Sequence, residues 1–445
     1  MPLSPDPRQP PSRGLHLAVA ALIAAGYGLT LAIFYPGIMT YDAKFVHEDI
    51  AKGVLGDWQS PVMTVLWGVI DPIAPGAASM FLLIATSYWL GFALLAFAAA
   101  RRSSRLALLL PLLALTPPAF VFVGIIWRDV LFATTWLLAA AIVYAAAERG
   151  ARFRMLVQIL AFALCALGVL LRPNALIAAP ILAAYIAWPT EMSWKRTAIL
   201  FVPAMAGFFA LVQGVYYGAL GATQQHPVQS IMIFDLGGIS HFTGQNQFPV
   251  TWSEPESALL LNSCYQPTQW DIYWRLEPCD FVMRKIEGEQ KLFGTPVVTE
   301  AWAHAVMRHP FAYLRHRTAL MWNFLAGNNT TMWLADVEHP AETVFPGRPG
   351  FAGLAWLHDW LKPTPLFRAG SWLLVCIVVC GFVWRRRQTP EGAFAFGVCG
   401  SAAVYVLSFL IVGVASDFRY AYWAVIAGTV GGAIAALGRR EAGAP

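Results

Sequence analysis

Charge is scarce in this chain of 445 residues: Asp, Glu, Lys and Arg together make up 12% of it, about half the share of an ordinary soluble domain. Hydrophobic residues reach 58%. Too few polar side chains remain to cover a globule in water, so lipid must be the solvent for most of the chain. Chemical motifs are scarce too. There is no Gly-rich phosphate loop, no Gly-x-Ser-x-Gly elbow, no His-Glu-x-x-His and no Asp-x-Asp pair, so a donor presented from water as a nucleotide is not supported and no nucleotide cofactor is expected. A divalent metal requirement stays open. No internal repeat or low-complexity segment is present. The net charge of +5 does not point to nucleic acid, because Lys and Arg sit in short clusters between apolar runs, where they set membrane orientation.

What the chain does have is apolar runs long enough to cross about 30 Å of hydrocarbon. They fall at about 15–35, 77–100, 106–126, 130–147, 155–171, 175–190, 197–218, 366–384, 392–415 and 420–438. The first is too long for the apolar core of a signal peptide and no small-residue cleavage site follows it, so it reads as an uncleaved span. Arg8/Arg13, Arg101/Arg102/Arg105, Arg149/Arg152/Arg154, Lys195/Arg196, Arg385/Arg386/Arg387 and Arg439/Arg440 occupy every second boundary. The positive-inside rule then puts both termini in the cytoplasm of a bacterial inner-membrane protein. The expected fold is an all-α membrane bundle of about ten spans in three parts: residues 1–220, an extracytoplasmic loop or cap at 221–365, and 366–445. Pro111, Pro117 and Pro118 should kink the third span, and Pro180 interrupts the short span that follows Arg172.

The extracytoplasmic face then comprises a first loop from Pro36 to Gly76, turns at 127–129, 172–174 and 416–420, and the large loop. In the first loop, a helix over 41–52 would place Asp42 and Asp49 on one face with Phe45 between them. Poor solvation at a membrane rim disfavours a carboxylate and prepares it to accept a proton; Glu48 and Asp49 otherwise serve to solvate the helix. Arg128, Asp129, Arg172, Asn174, Asp417, Arg419 and Tyr420 share this face. Single arginines mixed with single aspartates have the composition of a site, and the guanidinium fork suits a phosphate.

In the large loop, His226 joins the substrate-binding candidates, and a strand or re-entrant segment would end at Asp235 before a Gly-Gly turn. His226, Asp235 and His241 match no metal-ligand spacing, which favours structural roles. Residues 302–317 read as a basic, aromatic interfacial helix able to touch lipid phosphates. Among six cysteines, four lie in apolar runs as small core residues. Cys264 and Cys279 lie in the large loop, where a disulfide would contribute about 3 kcal/mol. Asn328-Asn329-Thr330-Thr331 carries a glycosylation sequon, set aside because nothing else suggests a eukaryotic secretory protein.

A first span ending in Tyr35-Pro36-Gly37, an acidic loop with Asp42, Asp57-Trp58-Gln59-Ser60-Pro61, Trp127-Arg128-Asp129, Leu171-Arg172-Pro173-Asn174 and Asp417-Phe418-Arg419-Tyr420 together resemble bacterial members of the GT-C superfamily of integral-membrane glycosyltransferases. The resemblance covers roughly the first 220 residues and the last span. It implies a polyprenyl-phosphate-linked sugar donor, a cell-envelope acceptor, Asp42 as catalytic base by position and Asp129 as assisting acid. The chain departs from the commonest pattern in lacking an acidic pair next to the first span; Glu48-Asp49 is the nearest substitute. A multi-span transporter or lipid flippase is the rival reading, and an assembly subunit whose large loop binds a partner is a third.

Overall fold

The computed structural model describes residues 12–328 and 350–437. Arg8, Arg439, Arg440 and most of the sequon lie outside the described residues. The helices, in chain order, are α1 (Arg13–Phe34), α2 (Tyr41–Lys52), α3 (Pro61–Ile70), α4 (Ala77–Ala99), α5 (Ser104–Leu113), α6 (Pro117–Phe120), α7 (Arg128–Ala146), α8 (Ala151–Leu171), α9 (Ala179–Ala187) and α10 (Trp194–Gln213). They continue with α11 (Val228–Thr243), α12 (Glu254–Asn262), α13 (Phe281–Met283), α14 (Pro296–Arg308), α15 (Pro310–Ala326), α16 (Phe351–Leu361), α17 (Ala369–Val383), α18 (Pro390–Val412) and α19 (Tyr422–Ala435). Among the described residues there is no β-strand, only three isolated bridges.

Among the described residues, seven helices are long and apolar enough to cross a membrane: Arg13–Phe34, Ala77–Ala99, Arg128–Ala146, Ala151–Leu171, Trp194–Ala219, Ala369–Arg386 and Pro390–Val412. The other expected spans take different shapes. The run at 106–126 breaks, because Pro117 and Pro118 supply no N–H to continue α5. The carbonyls freed at the break are satisfied from neighbouring helices: the Tyr88 hydroxyl donates to Ala114 at 2.5 Å and the Tyr422 hydroxyl to Ala119 at 2.6 Å. The run at 175–190 becomes a 3-10 turn (Pro173–Ile177) followed by the nine-residue α9, and the last run yields a 14-residue α19. Both are largely buried among longer helices, where length is not set by the bilayer.

Small residues set the closest approaches. At Gly26 an added Cβ would sit 2.0 Å from the Trp89 indole, and at Gly168 one would sit 2.1 Å from Nε1 of Trp136. At the end opposite the candidate site, Arg102 is paired with both Glu148 and Glu391, so that basic cluster carries its own counter-charges.

Among the described residues, apolar packing forms two clusters. One holds the bundle from Val19 to Ala222 and resumes at Met321; the second runs from Ile233 to Leu320 within the large loop, with Trp58 and Val414 packed against it. Packing passes from one to the other inside α15. Residues 228–243 are helical throughout, where a segment ending in a Gly-Gly turn was expected. The glycines are explained by contact instead: an added Cβ would lie 2.0 Å from the Tyr273 hydroxyl at Gly237 and 2.3 Å from the His316 ring at Gly238. Cys264 and Cys279 are joined in a disulfide inside this second cluster, with their Cα atoms 5.5 Å apart. Helix α15 has an exposed apolar edge at Phe311, Leu314 and Trp322, yet His316 and Arg317 point inward.

Candidate functional site

The first loop is held to the broken third run by backbone. Ile38 donates to the carbonyl of Gly124 at 2.8 Å and accepts from Ile126 at 3.0 Å. Trp127 Nε1 then donates to Thr40 Oγ1 at 2.9 Å, fixing the N-terminus of α2 beside that of α7. Asp42, in the first turn of α2, is thereby turned towards the turn that precedes α19. There Asp417 caps a 3-10 turn (Phe418–Ala421), its carboxylate accepting from the backbone N–H of Arg419 at 2.9 Å.

Arg419 is the hub. Its Nη1 donates to Asp42 Oδ2 at 2.8 Å, its Nε lies 3.4 Å from Asp417 Oδ2, and its guanidinium sits 4.8 Å over the Trp127 ring. Tyr420 carries the network inward: Arg419 Nη2 donates to its hydroxyl at 3.4 Å, and Arg172 lies 5.0 Å over its ring. Arg172 caps the end of α8 and pairs with Asp129 of α7, Nε to Oδ1 at 3.0 Å, both side chains almost wholly buried. Buried charges persist only when matched, and this pair matches itself. Arg128 donates to the carbonyl of Trp58 at 3.1 Å, so its guanidinium retains N–H groups for an anion.

The direction of Asp42's titration differs from expectation. Burial alone raises its pKa, but Arg419, with Arg128 and Arg172, outweighs burial and holds the carboxyl below its ordinary value of 3.8. Asp417 and Asp49 move the other way, both raised chiefly by burial. Sequence position could reveal that Asp42 stood at a poorly solvated rim, but not that Arg419 would meet it.

Of the residues expected at the site, Asp42, Arg128, Asp129, Arg172, Asp417, Arg419 and Tyr420 converge. Glu48 is exposed and paired with Lys52 at 2.9 Å, and Asp49 is half-buried further along α2. Asn174 lies half-buried in the 3-10 turn behind Arg172. His226 has a left-handed φ of 57° and lays its ring against Gly294. The three residues weighed as zinc ligands separate: His241 stacks on Tyr265, while Asp235 pairs with Arg317. Among the described residues no three His, Cys, Asp or Glu side chains gather as a metal set.

Two participants escaped the sequence reading. Gln59 donates to Asp42 Oδ1 at 3.3 Å, and the Tyr405 hydroxyl lies 3.4 Å from Arg172 Nε. Gln59 stands in segment 57–61 of the first loop, and Tyr405 is the one tyrosine of a long apolar run, where a phenol needs a partner. An apolar groove of about 460 Å³ runs between α5 and the α17–α19 pair, lined by Leu109, Leu113, Pro117, Leu366, Trp372 and Ala433. No family model, curated protein or solved structure matches this chain.

Proposed function

We propose that this chain is a GT-C-type glycosyltransferase of about ten spans in a bacterial cytoplasmic membrane, both termini inside. It moves a sugar from a polyprenyl phosphate to a cell-envelope glycan, lipid or protein on the extracytoplasmic face, beneath a cap formed by the large loop. The observation that carries this reading is the convergence of Asp42, Arg419, Asp417, Arg172 and Asp129 from four separate parts of the chain on one polar cluster at the helix ends.

In the inverting step, the acceptor hydroxyl attacks the anomeric carbon and gives its proton to Asp42, while the bond from that carbon to the phosphate oxygen breaks. Polyprenyl phosphate leaves with the electron pair, its new charge stabilised by Arg419 and Arg128. The groove beside Pro117 suits an isoprenoid tail. Arg419 holds Asp42 weakly basic at rest; a phosphate on Arg419 offsets that field and raises the carboxylate's proton affinity as the donor arrives. Transfer from a polyprenyl-phosphate sugar by the purified chain, lost in Asp42→Asn while membrane insertion and abundance persist, tests the assignment. Retained transfer removes Asp42 from the role. A flippase would keep the phosphate contact without a base, and Asp42→Asn would then leave lipid translocation intact.

A further inference from the structure

The second apolar cluster contains one charged network that the proposed reaction does not use. Asp235, in the middle of α11, is fully buried and receives both Arg317 Nη2 at 2.7 Å and Trp302 Nε1 at 2.8 Å, with Arg317 Nε at 2.6 Å from its other oxygen. His316 Nε2 lies 3.4 Å from the same carboxylate, and burial holds that imidazole below its ordinary pKa. The remaining terminal nitrogen of Arg317, Nη1, donates at 2.7 Å to the carbonyl of Gly413. This bond leaves the cluster and reaches the end of α18, where the chain turns towards Asp417 and Arg419.

The four residues after α18 are gripped from the same side. Trp270 donates to the carbonyl of Val414 at 2.9 Å, Ser416 donates to the carbonyl of Thr268 at 2.8 Å, and Gln269 bridges Ala415. The other arm of the site is held as well: Trp58, whose carbonyl receives Arg128, lies 5.7 Å from Trp270, and its N–H donates to Gln225 at 2.8 Å. The Asp235–Arg317 pair thus joins the fold of the large loop to the backbone that aims Arg419.

We propose that Arg317 is a positioning residue for the site: oriented bidentately by Asp235, it fixes Gly413–Ser416 and thereby places the Arg419 guanidinium against Asp42. The phosphate-binding consequence rests on the function proposed above, whereas the positioning itself does not. Two readouts separate them, both on the full-length protein in lipid nanodiscs. The first is hydrogen exchange of residues 413–420, which needs no ligand. The second is affinity for farnesyl phosphate.

Arg317→Lys and Asp235→Asn are compared with Val298→Ala, which removes buried apolar volume from the same cluster and makes none of the network's hydrogen bonds. The two network variants are expected to lose exchange protection across 413–420 at least tenfold and to bind farnesyl phosphate at least tenfold more weakly. Val298→Ala, although less stable to heat, keeps wild-type values of both. Exchange at 413–420 that follows thermal stability alone, equally in all three variants, overturns the proposal. Lost protection with unchanged affinity overturns the link to the site, and a wild-type protein that binds no farnesyl phosphate refutes the glycosyl-transfer reading while exchange still decides the positioning claim.

Discussion

Breaking the Asp129–Arg172 pair tests the inner half of the site without any assumption about its substrate. Nε and Oδ1 are 3.0 Å apart and both side chains are almost wholly buried, so at an effective dielectric of about 20 the attraction is about 5 kcal/mol. Removing one partner strands the other charge out of water, a loss of about 3–5 kcal/mol in comparable buried pairs. Removing both removes that penalty. For Asp129→Asn the stranded group is Arg172, which keeps the Tyr405 hydroxyl at 3.4 Å and the Tyr420 ring at 5.0 Å; its cost therefore falls at the lower end of that range. For Arg172→Met the stranded group is a carboxylate at the start of a helix, where the dipole lends some support. Each single variant is expected to lose about 3 kcal/mol, and the double variant less than the sum by at least about 2 kcal/mol. The assay is unfolding in mild detergent micelles followed by tryptophan fluorescence, run as a double-mutant cycle. Additivity within about 0.5 kcal/mol would refute the reasoning.

Asp42→Asn releases Arg419 from its 2.8 Å partner, so farnesyl phosphate is expected to bind up to about tenfold more tightly, about 1.4 kcal/mol, even as transfer is lost; calorimetric titration reads the binding. The same carboxyl has a native pKa below its ordinary 3.8. Its stabilising contribution is thus complete above the unfolded value and fades as pH falls through the lowered native one. Unfolding midpoints of wild type and Asp42→Asn should therefore converge in acid below about pH 4 and stand apart at neutrality. Cys264→Ser with Cys279→Ser should cost about 2–4 kcal/mol, read as earlier loss of protection in residues 228–320 than in the bundle. Gly168→Ala, whose Cβ would press on Trp136 at 2.1 Å, should cost about 1–3 kcal/mol, whereas Gly207→Ala, with nothing within 4 Å, should be neutral or stabilising by up to about 1 kcal/mol; thermal midpoints of the pair settle it.

Local chemistry was legible wherever it determines structure by itself. The apolar runs at 15–35, 77–100 and 155–171 appear within a few residues as α1, α4 and α8, because hydrocarbon requires a satisfied backbone and only a helix supplies it within one segment. The helix at Tyr41–Lys52 was likewise readable. The arginines and aspartates of the site could be gathered onto one face by counting spans. Partner choice could not be counted: nothing in the sequence says that Asp42 meets Arg419, 377 residues away, or that Asp129 takes Arg172. The same applies to Asp235, whose Gly237-Gly238 neighbours suggest a turn until Tyr273 and His316 are seen lying where side chains would stand. Helix breaking in the third run was half legible, since the prolines were visible but the two tyrosines that make a full break tolerable, Tyr88 and Tyr422, come from other helices.

Asp417 holds its own backbone with one oxygen and faces Arg419 with the other. An asparagine there would preserve the turn but surrender the counter-ion, while a glutamate would preserve the counter-ion but overreach the turn. Shape and charge at this corner are therefore written into a single side chain, and no other amino acid supplies both.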